Sequence, residues 1–134
     1  MSVYVDSSAL LTVYLDEPET DAAEQLLTGK RWVSGRHTLV EVRRSLHRVL
    51  DGSELDRARR RFTHDWGEID AVDLGEAATE LAAELAERTG VRSLDALHLG
   101  AAAIAGADDG LPIVTFDIRL ADAGRSLGWA VLGA

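Results

Sequence analysis

The segment "SVYVDSSALLTVYL", residues 2–15, contains the unit from which the fold is built. The apolar run Val3 to Val5 predicts a short buried strand, and residues 8–15 have the apolar spacing of a helix. Asp6 stands between the two. The segment "LPIVTFDIRLADAGRSLG", residues 111–128, has the same order, with Asp117 between an apolar strand and a helix. This order of strand, aspartate and helix predicts a parallel sheet covered by helices.

The remaining chain continues the alternation of strands and helices. Further strands are predicted at residues 31–34, 69–74 and 129–132. Further helices are predicted at residues 18–27, 38–50, 53–66 and 76–88, and after Ser93. Pro18 is expected to open the first of these, Ser53 and Ser93 to cap two others, and Gly29 and Gly90 to end two. The sequence therefore predicts one three-layer α/β/α domain, residues 1–134, with a central mostly parallel sheet.

Composition excludes several classes of protein. The 134 residues are 46% hydrophobic and include no cysteine, which excludes disulfides and thiolate zinc sites. A net charge of −9 argues against a protein that coats nucleic acid non-specifically, because such binding needs a basic surface. It does not exclude a nuclease, whose site needs carboxylates. There is no signal-peptide pattern and no membrane-length apolar run, so a cytoplasmic protein without membrane association is expected.

Four acidic residues stand at predicted helix starts. Asp6 and Asp117 follow apolar strands, where ligands of parallel sheets bind, and Glu41 and Asp95 lie in first helical turns. Each has a purely structural alternative, since aspartate caps helices and the helix dipole stabilises an acid there. Four such acids on the strand-end side of one sheet nevertheless favour a single pocket. The hypothesis requires the two aspartate-bearing strands to be neighbours.

Asp95 is the most informative of the four acids. It lies in "GVRSLDALHLGAAAIAG", residues 90–106, where nearly every residue from Leu94 onward is apolar or glycine. Such a helix is expected to be buried, and a buried carboxylate is costly without a partner. Because clustered acids repel one another, a shared divalent cation is the expected partner, and oxygen-only ligands favour Mg²⁺ or Mn²⁺. His37 is interpreted as preceding or capping a helix, and His98 as a core histidine.

At these residues the sequence resembles a known family. The order "VYVDSSALL", "TLVEVRRSL", "SLDALHLGAAAI" and "IVTFDIRLADAG" is similar to the PIN-domain ribonucleases, and more narrowly to the VapC-type toxins of bacterial toxin–antitoxin pairs. The resemblance runs from the first strand to the end of the chain. It implies a metal-dependent endoribonuclease that acts on RNA, is homodimeric, and is inhibited by a small antitoxin that inserts a segment across the pocket.

The resemblance also implies roles for individual residues. It assigns the catalytic positions to Asp6, Glu41, Asp95 and Asp117. Of these, Asp6, Asp95 and Asp117 are expected to be nearest the Mg²⁺ or Mn²⁺ ion, and Glu41 to hold a second ion or orient the attacking water. The supporting polar positions are Ser7, Ser8 and Thr115, and Arg44 and Arg48, one and two turns beyond Glu41, are candidates for RNA binding. Asp122, one helical turn after Asp117, competes with it, and Asp117 is favoured because it directly follows the strand.

Other readings of the acids are weaker. A phospho-receiver domain needs a lysine after a late strand, and no lysine follows Lys30. Haloacid-dehalogenase-type phosphatases need a second aspartate two residues after the first, where this chain has Ser8. A non-catalytic PIN-fold module that binds RNA or regulates another protein stays open as the alternative, and metal-dependent RNA cleavage distinguishes it from an enzyme.

Overall fold

The computed structural model describes residues 1–134 as five strands and seven helices. The strands are β1 (Ser2–Val5), β2 (Arg31–Gly35), β3 (Asp70–Val72), β4 (Ile113–Thr115) and β5 (Val131–Gly133). The helices are α1 (Ser7–Tyr14), α2 (Thr20–Leu27), α3 (Thr38–Val49), α4 (Gly52–Trp66), α5 (Glu76–Thr89), α6 (Ser93–Ala105) and α7 (Ile118–Ser126). A short 3₁₀ turn, Ala107–Asp109, follows α6. No helix is both long enough and apolar enough to cross a membrane.

The sheet has the order β3-β2-β1-β4-β5, and every strand pair is parallel. In the register of β1 and β4, Tyr4 lies opposite Ile113 and Val5 opposite Val114. The chain first builds the sheet in one direction from β1 and then returns to the other side of β1 with β4. The point at which strand order reverses therefore lies between β1 and β4.

Alternating residues of the central strands contact the two helical layers. Val3, Val5 and Val114 pack with side chains of α1 to α4 in one core. Tyr4 and Ile113 point to the opposite face and pack with α5, α6 and α7 in a second core. The three-layer α/β/α arrangement follows from this period of two along each strand. It confirms the predicted fold class, with a sheet that is wholly parallel.

Several predicted element ends differ from the structure. Ser93 is the first residue of α6, and the cap position belongs to Arg92, whose side chain makes no capping hydrogen bond. Helix α4 begins at Gly52, before the predicted cap Ser53, and α2 begins two residues after Pro18. Strand β3 is only three residues long, so the alternation in residues 69–74 predicts a longer strand than the sheet pairs.

The contact between α5 and α6 sets the position of the helix that carries Asp95. Gly90 ends α5 in the left-handed conformation, with φ of 76°, which glycine adopts without a steric penalty. Further along α6, Gly100 is buried directly against α5, and a Cβ there would lie 2.6 Å from the carbonyl oxygen of Ala78. A glycine at this position lets the two helices approach closely.

Candidate active site

The carboxyl ends of β1 and β4 lie side by side at the point of strand reversal. Asp6 directly follows β1, and Asp117 follows β4 after one intervening residue. Because the two strands are parallel neighbours, both aspartates lie at the same edge of the sheet. This is the position at which open α/β sheets bind ligands, and it meets the condition that the sequence hypothesis required.

Asp6 is the most completely enclosed acid of the four, with 2% of its surface exposed. Its carboxylate accepts hydrogen bonds from Ser8 Oγ at 2.8 Å, Thr115 Oγ1 at 2.7 Å and the backbone N–H of Ala9 at 3.0 Å. Burial raises the pKa of Asp6, while the charge of His98 and these hydrogen bonds act in the opposite direction. The same carboxylate therefore caps α1 and is held rigidly at the edge of the sheet.

Hydrogen bonds of Ser8 and Thr115 connect the carboxyl ends of β1 and β4. Each hydroxyl donates its proton to Asp6 and accepts a backbone N–H, from Phe116 at 3.1 Å and from Asp117 at 3.0 Å respectively. Because each hydroxyl both donates a hydrogen bond and accepts one, the two hydroxyls orient Asp6 and fix the start of the β4–α7 connection. Both had been predicted as supporting residues, and they contact Asp6 as that role requires.

Ser7 is not part of this hydrogen-bond network around Asp6. Its Oγ is 3.5 Å from Nε2 of His98, and its hydrogen bond helps to lower the pKa of Glu41. Ser7 therefore belongs with the side of the site that holds Glu41.

Asp117 caps the helix that follows it. Its Oδ1 accepts the N–H groups of Arg119 at 2.9 Å and Leu120 at 3.2 Å, and its Oδ2 makes no hydrogen bond. Asp122, the competing acid, is exposed and lines a separate surface groove with Arg92 and Arg119. The charge of Asp117 raises the pKa of Asp95. The geometry therefore favours Asp117 for the site.

Asp95 is less buried than the sequence predicts. The first turn of α6 opens to the surface, so that Asp95 is half-buried and Leu94 is 53% exposed. The Asp95 carboxylate makes no hydrogen bond and no ion pair. Burial raises its pKa, and the negative charge of Asp117 raises it further, followed by those of Asp6 and Glu41. Asp95 is thus close enough to the other three acids to be repelled by them, with the charge of His98 acting in the opposite direction, but no three of the four acids bring their ligand atoms within 4.8 Å of one another.

A surface groove of about 420 Å³ gives access to two of the four acids, Glu41 and Asp95. It is lined by Glu41, Arg92, Ser93, Leu94 and Asp95. Arg92 also lines the neighbouring groove that contains Arg119, so two cations lie beside the acids. Neither was singled out from the sequence. The predicted pair Arg44 and Arg48 is exposed on α3 and forms no ion pair, but lines neither groove.

Glu41 is held by a chain of hydrogen bonds that begins at the sheet. The N–H of Gly35 donates to the Tyr4 hydroxyl at 3.0 Å, which lies 2.7 Å from Nδ1 of the buried His98. The Nε2 of His98 lies 2.8 Å from Glu41 Oε1. Burial raises the pKa of Glu41, but the hydrogen bond and charge of His98 and the charge of His37 outweigh it and leave the pKa lowered.

An ionised Glu41 fixes the tautomer of His98. A carboxylate only accepts hydrogen bonds, so Nε2 of His98 carries the proton, and Nδ1 then accepts from the Tyr4 hydroxyl. The interpretation of His98 as a satisfied core histidine is correct as far as it goes. That interpretation did not predict that one of the two hydrogen-bond partners of His98 is Glu41, an acid of the site. The spacing of Asp95 and His98, three residues apart on one face of a helix, was the available signal.

His37 also lies in the site. It precedes α3 as predicted but makes no capping hydrogen bond. Its ring centroid lies 4.1 Å from that of His98, with the two rings tilted by 48°, and its Nε2 is 3.4 Å from Glu41 Oε1. Burial lowers the pKa of His37 to about 4, assisted by the charge of His98. His37 is therefore a neutral imidazole at neutral pH.

Comparison with known proteins decides the family. The PIN domain family model matches residues 3–126. The chain is a PIN domain of the VapC family. Ribonuclease VapC46 of Mycobacterium tuberculosis is 36% identical to it over 134 residues, which cover 98% of this chain and 96% of that protein.

Solved structures of other proteins share the fold of this PIN domain. The crystal structure of VapC20 of Mycobacterium tuberculosis, described as a Sarcin-Ricin loop cleaving toxin, matches with a TM-score of 0.73 at 16% identity and covers 96% of each chain. A toxin–antitoxin complex from Klebsiella pneumoniae matches with a TM-score of 0.67 at 15% identity and covers 86% of each chain. At these identities the likeness supports the fold alone.

Proposed function

We propose that this PIN domain is a metal-dependent endoribonuclease and the toxin of a type II toxin–antitoxin pair. The observation that carries the proposal is the Asp95 carboxylate, which has no hydrogen bond or ion pair and is repelled by Asp117, Asp6 and Glu41. Acids with perturbed pKa values at a strand-end groove are typical of a functional site. The 36% identity to a protein named ribonuclease supports RNA as the substrate.

The donor set fits Mg²⁺ or Mn²⁺. Asp6, Asp95 and Asp117 offer carboxylate oxygens only, which these hard cations prefer, and a cation would remove the repulsion among them. In this proposal these three residues hold the ion and Glu41 orients the attacking water. A bound divalent cation supplies an activated water and neutralises charge on the scissile phosphate.

The other side chains of the site have supporting roles. Ser8 and Thr115 keep the Asp6 carboxylate in one orientation, as hydrogen-bonded neighbours of metal ligands commonly do. Glu41, with its lowered pKa, is ionised at neutral pH and would accept a proton from water as the water adds to phosphorus. The P–O bond to the leaving ribose oxygen then breaks, and that oxygen takes a proton from solvent. Arg92 and Arg119 line the two grooves and are proposed to bind the RNA backbone. Arg44 and Arg48, exposed on α3 outside both grooves, are proposed as further RNA contacts.

Cleavage of total RNA in the presence of Mn²⁺ or Mg²⁺ tests the proposal. Wild-type protein is expected to cleave only with added metal, and Asp117→Asn to lose activity by at least about 100-fold, a loss typical of damaged metal sites. Asp56→Asn is the matched control, because it makes the same exchange at an exposed position of α4 that lines neither groove, and it should leave cleavage unchanged. A wild-type protein that never cleaves RNA would favour the alternative, a non-catalytic PIN module.

The acidic groove also supports the proposed antitoxin partner. Arginine side chains bind carboxylates with two charge-assisted hydrogen bonds, so an antitoxin segment that carries an arginine or lysine would be attracted to Asp95 and its neighbours. Co-expression with the adjacent small gene should suppress both RNA cleavage and growth arrest, and unchanged cleavage would contradict the pairing. The proposed homodimer is tested separately by light scattering on the purified protein.

A further inference from the structure

His37, Glu41 and His98 form a second group of metal-binding atoms at the edge of the acidic site. One ligand atom of each lies within 4.8 Å of those of the other two. His37 and Glu41 are one turn apart at the start of α3, while His98 reaches them from α6. No comparable set within this distance is formed by the four acids alone. The histidine-containing group is therefore the most compact cluster of ligand atoms in the protein.

The ring of His37 points to a missing partner. Its side chain is 10% exposed, yet neither ring nitrogen makes a well-formed hydrogen bond: Nε2 lies 3.4 Å from Glu41 Oε1, and the backbone of Leu94 gives a further polar contact that falls short of hydrogen-bond geometry. Nearly all buried polar atoms in proteins are hydrogen-bonded, and an unpaired one calls for an unseen water or ion. Nε2 of His37 lies 3.4 Å from Glu41 Oε1, the carboxylate oxygen that His98 also contacts. The unsatisfied nitrogen therefore lies within a ready set of ligands.

From this arrangement we infer that His37, Glu41 and His98 bind a transition metal ion of the Zn²⁺ type. Two imidazoles and one carboxylate are a common set for Zn²⁺, which keeps a fourth position open in such sites. Imidazole nitrogen favours Zn²⁺ over Mg²⁺, so this site differs in selectivity from the three-aspartate site.

The surroundings of His98 suit ligation through Nε2. Histidines that bind metals usually direct their second nitrogen to a polar group that orients the ring. Tyr4 lies 2.7 Å from Nδ1 and fills this position. On metal binding the proton of His98 moves from Nε2 to Nδ1, and the Tyr4 oxygen changes from donor to acceptor, which a phenolic hydroxyl allows.

The consequence for cleavage rests on the proposed function. Glu41 belongs to both groups, so Zn²⁺ bound by the histidines removes the carboxylate that orients the attacking water. Zn²⁺ is thus expected to inhibit cleavage supported by Mg²⁺, and His37→Gln to make the enzyme less sensitive to Zn²⁺. Binding of Zn²⁺ is measured without RNA. A protein that binds Zn²⁺ at these residues but cleaves no RNA would retain the site and refute only the nuclease.

Isothermal titration calorimetry tests the site, with Zn²⁺ titrated into Zn²⁺-free protein in a buffer that contains excess Mg²⁺. One ion per chain is expected, with affinity at least tenfold lower in His37→Gln. His64→Gln is the matched control, because His64 and Glu68 form an exposed pair with the same i,i+4 spacing, 3.7 Å apart. Equal affinity in His37→Gln and wild type, or an equal loss in His64→Gln, would overturn the inference.

Imidazole ¹⁵N spectra of the wild-type protein give a test that needs no substitution. Zn²⁺ should shift the ring nitrogens of two histidines and exchange the protonated nitrogen of His98 from Nε2 to Nδ1. Shifts confined to His47 and His64, the exposed histidines, would show surface binding only and refute the site.

Discussion

Replacement of Gly100 by alanine tests whether the contact between α5 and α6 is as close as the structure indicates. The added Cβ would lie 2.6 Å from the carbonyl oxygen of Ala78 and 2.9 Å from the Cβ of Ala82. Both obstacles belong to the rigid part of α5 and cannot rotate away. Ordinary contact begins at 3.4 Å, so the two helices would have to separate by roughly 0.8 Å in an interior that is otherwise close-packed.

Two opposing effects set the size of the loss. Overpacking a core typically costs about 1–3 kcal/mol of unfolding free energy, and alanine returns up to about 1 kcal/mol because it is a better helix former than glycine. Since the obstruction at Gly100 is backbone, the upper part of the range applies and the net loss is about 2 kcal/mol. In a domain of this size that lowers the Tm by roughly 6–10 °C.

Thermal melts followed by circular dichroism measure this loss, and urea unfolding gives the free energy directly. Ala83→Gly, at an exposed position of α5, is the matched control, since it exchanges the same two residue types where nothing is packed. It should cost about 1 kcal/mol from helix propensity alone. If Gly100→Ala melts at or above the wild-type temperature, the propensity gain dominates, and the close approach of the two helices is refuted.

Three further predictions concern the site. In chelator near neutral pH, Asp95→Asn should be at least as stable as wild type. The reason is that the pKa of Asp95 is raised in the folded protein, so the wild type loses stability as the pH rises through that pKa. A clearly lower Tm of the variant would show that Asp95 serves folding. Mn²⁺ should raise the Tm of wild type but hardly that of Asp95→Asn, and an equal rise would exclude Asp95 as a ligand. Tyr4→Phe leaves the buried N–H of Gly35 without a partner and should cost about 1–3 kcal/mol in urea unfolding; an unchanged midpoint would contradict the hydrogen-bond chain.

The sequence was informative wherever a signal is local. Asp6 and Asp117 were found because each directly follows an apolar strand and opens a helix, and both features lie within a few residues. The apolar run of residues 3–5 likewise predicted a short buried strand. Strand order is not local, yet alternating strands and helices restrict it to parallel arrangements with a reversal point.

The errors have a common physical origin in tertiary packing. The apolar composition of α6 predicted burial of Asp95, but composition does not tell which turn of a helix lies at the rim of a groove. His98 and Glu41 are 57 residues apart, and no spacing rule connects them. Ser53 and Ser93 have cap propensity, but both lie inside the first turn because the preceding residue already begins or flanks the helix.

The hydrogen bond from Thr115 to Asp6 joins residues 109 positions apart in the sequence. During synthesis the ribosome releases Asp6 early and Thr115 only after most of the chain has been translated. Until β4 inserts beside β1, the edge that brings Asp6 and Asp117 together does not exist. No nascent chain that ends before β4 can assemble the pocket. For a protein proposed to cleave RNA, this topology means that the site cannot form before β4 has been translated.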